Sequence, residues 1–158
     1  MNANYKTNVQ KFLDEKIIAV AGYSSKGDTP GNAIYQKLKK TGYQVYALNP
    51  RPDQVKEVTC YPNLASLPEK PGAVMICTPP KAAEQLVEEC HEQGVDKVWM
   101  HRSMGNGSYS ATAENKAREY GMLTLGVGCP MMFLKPDLFH RCFRWIMDKQ
   151  GKLVYAAN

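Results

Sequence analysis

The sequence predicts an α/β fold: a doubly wound, five-stranded parallel sheet with helices on both faces. Three observations carry that expectation. Short, unbroken apolar runs recur along the chain, as strands buried on both faces do in parallel sheets. Patterns with helical spacing alternate with these runs. The residues with chemistry to offer fall just after the apolar runs, where such sheets take their ligands. A length of 158 residues suits one domain over 1–158 with one core.

The elements follow in order. A leading helix is expected within 1–16, with Val9, Phe12 and Leu13 facing the sheet. "IIAVAG" at 17–22 reads as the first strand, ended by Gly22. "GNAIYQKLKKTG" is a helix with Ile34 and Leu38 on one face and Gly42 as its stop. "YQVYALNP" is the second strand, broken by Pro50. Residues 51–72, rich in Pro and Gly, read as a connection holding one helical turn near Leu64–Leu67. "GAVMICTPP" is the third strand, and "KAAEQLVEECHEQG" an amphipathic helix with Ala83, Leu86, Val87 and Cys90 inward. "DKVWMH" is the fourth strand. A helix follows after "NGSYS", with Ser110 and Thr112 as candidate caps. "MLTLGVG" is the fifth strand. A C-terminal helix is expected over 136–149, with Pro136 in its first turn. Its apolar stripe of Leu138, Phe139, Cys142, Phe143 and Ile146 would pack in the core or form a homodimer surface.

Composition excludes several classes. The net charge of +5 is spread among acidic residues, with no basic block, so nucleic acid is not the expected partner. No apolar run reaches the length of a membrane span, and no signal-peptide core follows Met1, which points to the cytoplasm. The five cysteines contain no CxxC and no zinc-like spacing, so neither a disulfide framework nor a metal site is expected.

The loop after the first strand, "AGYSSKGDTPGNA", is built for an anion. Ser24, Ser25 and Thr29 carry hydroxyls and Lys26 a positive charge. Pro30 opens the next helix, whose amide dipoles favour negative charge. It is not a Walker loop, because Asp28 stands where the phosphate-binding lysine belongs. Nor is it the dinucleotide fingerprint, because the glycines are Gly22, Gly27 and Gly31. An NAD site would place an acidic residue after the second strand. Asn49, Pro50 and Arg51 stand there instead, and Arg51 suits an extra phosphate on the ribose, as in NADP or coenzyme A.

In order and spacing, "GxS…TPG", "VYALNP", "CYPNLASLP", "VMICTPP", "VWMH" and "GCPM" resemble the stand-alone coenzyme A-binding domain proteins. These are similar to the N-terminal domain of the succinyl-CoA synthetase alpha subunit, and the likeness covers about residues 10–135. It implies a Rossmann-like domain that binds CoA or an acyl-CoA across the strand ends. Gly22, Ser24, Ser25 and Lys26 would approach the pyrophosphate, with Thr29 and Pro30 at the helix start. Asn49, Pro50 and Arg51 would lie near the 3′-phosphate, and Thr78, Pro79 and Pro80 beside adenine and ribose. Pantetheine would run toward His101, Met104 and Cys129. The family usually has Gln and then Gly after the fourth strand; this chain has His101, Arg102, Ser103, Met104 and Gly105.

Catalysis has one candidate pair, His101 and Cys129, at the ends of neighbouring strands. A free cysteine in an apolar turn is more often a packing residue, and a reactive one needs a lowered thiol pKa. No ATP-binding segment or carboxylate cluster accompanies the pair, so the expectation is a binder rather than an enzyme. The alternative is an NADP-dependent oxidoreductase or a nucleotide-sensing domain.

Overall fold

The computed structural model of the chain describes residues 3–102 and 105–153. Six parallel strands form one sheet: β1 (Ile17–Ala21), β2 (Gln44–Leu48), β3 (Cys60–Tyr61), β4 (Ala73–Ile76), β5 (Lys97–Met100) and β6 (Leu123–Leu125). Their order is β3-β2-β1-β4-β5-β6. Strand order therefore reverses at β1, which pairs with β2 on one side and β4 on the other.

The sheet is Rossmann-like, as expected, but it has six strands rather than five. The additional one is Cys60–Tyr61, within the stretch read from sequence as a connection. Two residues hold no periodicity. The strand exists because Cys60 and Tyr61 pair with Ala47 and Leu48, and the Tyr61 carbonyl accepts from the Asn49 amide at 2.9 Å. The helical turn expected there is a 3-10 turn, Leu64–Ser66, capped by the Asn63 side chain, which accepts from the Ser66 amide.

Alternate residues of β1 divide the core. Ile18 and Val20 face helices α1 (Ala3–Leu13), α2 (Pro30–Lys40) and α5 (Leu138–Lys149). Ala19 and Ala21 face α3 (Pro80–Glu92) and α4 (Ala111–Glu119). Helices thus cover both faces. Caps mark their starts: Thr29 for α2 and Ser110 for α4, each accepting from an amide three residues on.

One expectation about α5 is corrected. Pro136 does not sit in its first turn. Asp137 is the cap, with its carboxylate accepting from the His140 amide at 2.8 Å, so the helix begins at Leu138. Of the apolar stripe, Phe143 packs partly against the core beside the buried Met147, whereas Leu138 is 81% and Phe139 67% exposed. Among the described residues, no helix is long and apolar enough to cross a membrane.

The leading helix is tied to the far side of the sheet. Tyr5 Oη and Trp99 Nε1 both donate to the Val127 carbonyl, at 2.8 and 3.0 Å. Phe12 packs edge-on against Trp99, with ring centroids 5.3 Å apart. Phe12→Ala is expected to cost about 3–5 kcal/mol of stability, read as a lowered urea midpoint; an unchanged midpoint would show that α1 is not part of the cooperative core.

Candidate functional site

The site starts from a crowded backbone at the switch in strand order. Gly22 follows β1 with φ +97°, and a Cβ there would stand 2.6 Å from the Cys77 carbonyl oxygen after β4. A Cβ on Gly31, in the first turn of α2, would stand 2.6 Å from the Gly22 carbonyl oxygen. Two glycines thus let the end of β1, the start of α2 and the end of β4 approach more closely than any side chain allows.

The loop between them is held by its own side chains. Asn32 Oδ1 accepts from the Ser24 amide and the Thr29 hydroxyl, both at 2.8 Å, and its Nδ2 donates to the Ser24 carbonyl at 2.7 Å. Ser24 Oγ accepts from the Lys26 amide. The Thr29 hydroxyl proton is therefore spent inside the loop rather than offered outward. Pro30 has no N–H, and the Asn32 amide is capped by Thr29. The Ser25, Gly27, Asp28 and Gly31 amides have no partner among the described residues, and Ser25, Gly27 and Asp28 are exposed.

Asn49 joins the first loop to the second. Its Nδ2 donates to the Tyr23 carbonyl at 2.7 Å and its Oδ1 accepts from the Arg51 amide at 2.8 Å. That work fixes Arg51, which is exposed beside the first loop.

Together these loops border one cleft of about 760 Å³, within the roughly 300–1,000 Å³ of small-molecule sites. Gly22, Ser24, Ser25, Lys26, Thr29, Pro30, Asn49, Pro50, Arg51, Thr78, Pro79 and His101 all line it. Thr78 Oγ1 is buried with no hydrogen-bond partner, an unsatisfied polar atom against the cleft. Pro80 is not among the lining residues: it is the exposed first residue of α3, and Pro79 precedes it in the cap position. Met104 lies outside the described residues.

Cys129 also stands off this cleft. It lines an adjoining pocket with His101 and Pro30, both of which also line the cleft. Sequence reasoning was right to bring His101 and Cys129 to one place, but burial pushes the Cys129 thiol up to about 11. Burial likewise lowers the His101 imidazole from its usual range. Both groups are thus held neutral near pH 7, the reverse of a thiolate–imidazolium pair.

Several residues of the site were missed in sequence, beginning with Asn32, which braces the first loop without lining the cleft. Asn32 had a signal: Thr29–Pro30–Gly31–Asn32 is a capping pattern with Asn in place of the usual Glu or Gln. Gln85 and Glu89 on α3, and Gly107 and Ser108 after β5, also line the cleft. Their sequence positions look like an ordinary polar helix face and a turn. Glu89 is turned toward its own scaffold, accepting from the Leu64 amide at 2.5 Å.

A reversing parallel sheet with a loop-lined cleft at the reversal is the architecture of nucleotide-binding α/β domains. Within that class the chain belongs to the CoA binding domain family, whose pattern matches residues 16–135. It is 23% identical over 156 residues to an ADP-forming acetate–CoA ligase I of Archaeoglobus fulgidus, covering 95% of this chain and 23% of that one. It is 30% identical over 125 residues to the alpha subunit of an ADP-forming acetate–CoA ligase II of Pyrococcus furiosus, covering 75% of this chain and 27% of that one. The chain therefore spans about a quarter of the length of these relatives. Among solved structures, a hypothetical protein from Pyrococcus horikoshii OT3 superimposes with a TM-score of 0.72 at 27% identity, covering 82% of this chain and 91% of that one. The likeness to the succinyl-CoA synthetase type of CoA-binding domain read from the sequence is thus borne out.

The crowding at Gly31 reverses an ordinary rule. Alanine normally stabilises a helix over glycine by about 1 kcal/mol. Gly31→Ala is expected instead to destabilise by about 1–3 kcal/mol, read by thermal unfolding; a stabilised variant would disprove the close approach.

Proposed function

We propose that the chain binds coenzyme A or an acyl-CoA in the switch-point cleft, through the loops after the strands, and acts as a binding module without catalysis of its own. The observation that carries this is the pairing of two anion-suited positions in one cleft. The first loop brings the unpartnered Ser25 amide and Lys26 to the cleft, with the exposed amides of Gly27 and Asp28 next to them in the chain. The second loop presents Arg51, with its backbone fixed through Asn49.

A 3′-phosphorylated ADP group fits these positions. The amides and Lys26 would hold the pyrophosphate, and Arg51 the 3′-phosphate. The unpartnered Thr78 hydroxyl would gain a partner from ribose or adenine. Pantetheine would then run along the cleft toward His101. The buried Cys129 thiol supports binding over chemistry, because near pH 7 it is held protonated and away from the nucleophilic thiolate.

Calorimetric titration with CoA, dephospho-CoA, NADP and NAD tests the reading. CoA should bind, and dephospho-CoA more weakly; tight NADP binding with none for CoA would favour the oxidoreductase alternative. Arg51→Ala is expected to weaken CoA about tenfold and dephospho-CoA less than about twofold. Equal losses for both ligands would remove Arg51 from the 3′-phosphate.

A further inference from the structure

We infer that the pocket between α2, α5 and the turn after β6 receives the acyl group of a bound thioester, and that this group is a short, uncharged hydrocarbon chain. The inference rests on the reading of the neighbouring cleft as a CoA site. Its basis is continuity: Pro30 and His101 line both cavities, so the pocket opens beside the end of the cleft toward which the pantetheine arm is assigned.

The walls are apolar. Ile34 comes from α2, Met131 and Met132 from the 3-10 turn Pro130–Met132, and Phe139 and Phe143 from α5. Those aromatic rings stack in parallel, with centroids 6.1 Å apart. No lysine or arginine lines the pocket among the described residues. Its polar members are His101, the Cys129 thiol and His140, and the His140 Nδ1 lies 2.7 Å from the Asp137 carboxylate. An acyl group ending in a second carboxylate would lose its hydration there without gaining a lysine or arginine partner.

The pocket is held open by specific contacts. Arg144 Nη1 donates to the Met132 carbonyl at 3.1 Å, and its guanidinium lies over the Phe133 ring. Lys37 Nζ donates to the Lys135 carbonyl at 2.9 Å, at the one non-glycine residue with positive φ among the described residues. These bonds pin the turn to both α5 and α2. The volume is about 200 Å³. Taking about 30 Å³ for a group the size of water, it admits on the order of six carbon-sized groups. The exposure of Phe139 has a use in this arrangement, since a buried chain would cover part of the ring.

Calorimetry on the full chain with CoA, acetyl-CoA, butanoyl-CoA and succinyl-CoA tests the inference. Each methylene buried is worth about fourfold in affinity, so butanoyl-CoA, with two more methylenes, should bind about fifteenfold tighter than acetyl-CoA. Succinyl-CoA should gain nothing over acetyl-CoA. The butanoyl-to-acetyl ratio should fall toward one in Met131→Trp, which fills the pocket, and should drop in Phe139→Ala, which removes an exposed wall without touching the core. Equal affinity for butanoyl- and acetyl-CoA in the wild-type chain, while CoA still binds, overturns this inference alone. A preference for succinyl-CoA overturns the apolar class, and a ratio unchanged in both variants overturns the location. Failure of CoA and of every thioester to bind overturns the cleft reading and this inference with it.

Discussion

The close approach of Gly22, Gly31 and the Cys77 carbonyl is the constraint on which the cleft depends. It sits where β1 stands between β2 and β4, so the crossover after β1, through α2, and the one after β4, through α3, lie on opposite faces of the sheet. A cleft opens there because no helix can cover both sides of the reversal. Removing Cβ at two positions lets α2 begin directly above the end of β1. The first loop then has to leave the sheet, run out to Gly27 and Asp28 and return to Thr29 within a few residues.

That short excursion explains how the polar side chains are divided. Some are used to build the loop: Asn32 ties Ser24 to Thr29, and Asn49 ties Tyr23 to Arg51. Others remain at the surface, namely Ser25, Lys26 and the amides around Gly27. A loop whose internal bonds are already made loses little further entropy when an anion arrives. Thr29 looks like a ligand-binding hydroxyl in sequence and acts as a helix cap in the structure.

The other end of the cleft is governed by burial. A bridge between Arg102 and Gly128 joins the segments after β5 and β6, and the Val127 carbonyl takes hydrogen bonds from Tyr5 and Trp99. These contacts draw His101 and Cys129 out of water. The low-dielectric surroundings disfavour the charged form of each, raising the thiol and lowering the imidazole. The pair is thus set by its surroundings and not by residue type alone.

Much of this was legible in the sequence. Apolar runs and helical spacing determined the alternating α/β order and the parallel sheet, because burial on both faces leaves a pattern within each segment. Gly22, Lys26, Asn49 and Arg51 could be assigned to strand-end loops because position after a strand is a local property. Only the tertiary structure decided the rest. The sixth strand is two residues long and exists through its pairing with β2. The amphipathic α5 carries its apolar stripe in sequence, yet Leu138 and Phe139 face outward, since what a helix buries depends on the elements beside it. The protonation of Cys129 and the partners of Asn32 likewise follow from neighbours distant along the chain or across a turn. Such relations are made by packing, and periodicity within one segment does not encode them.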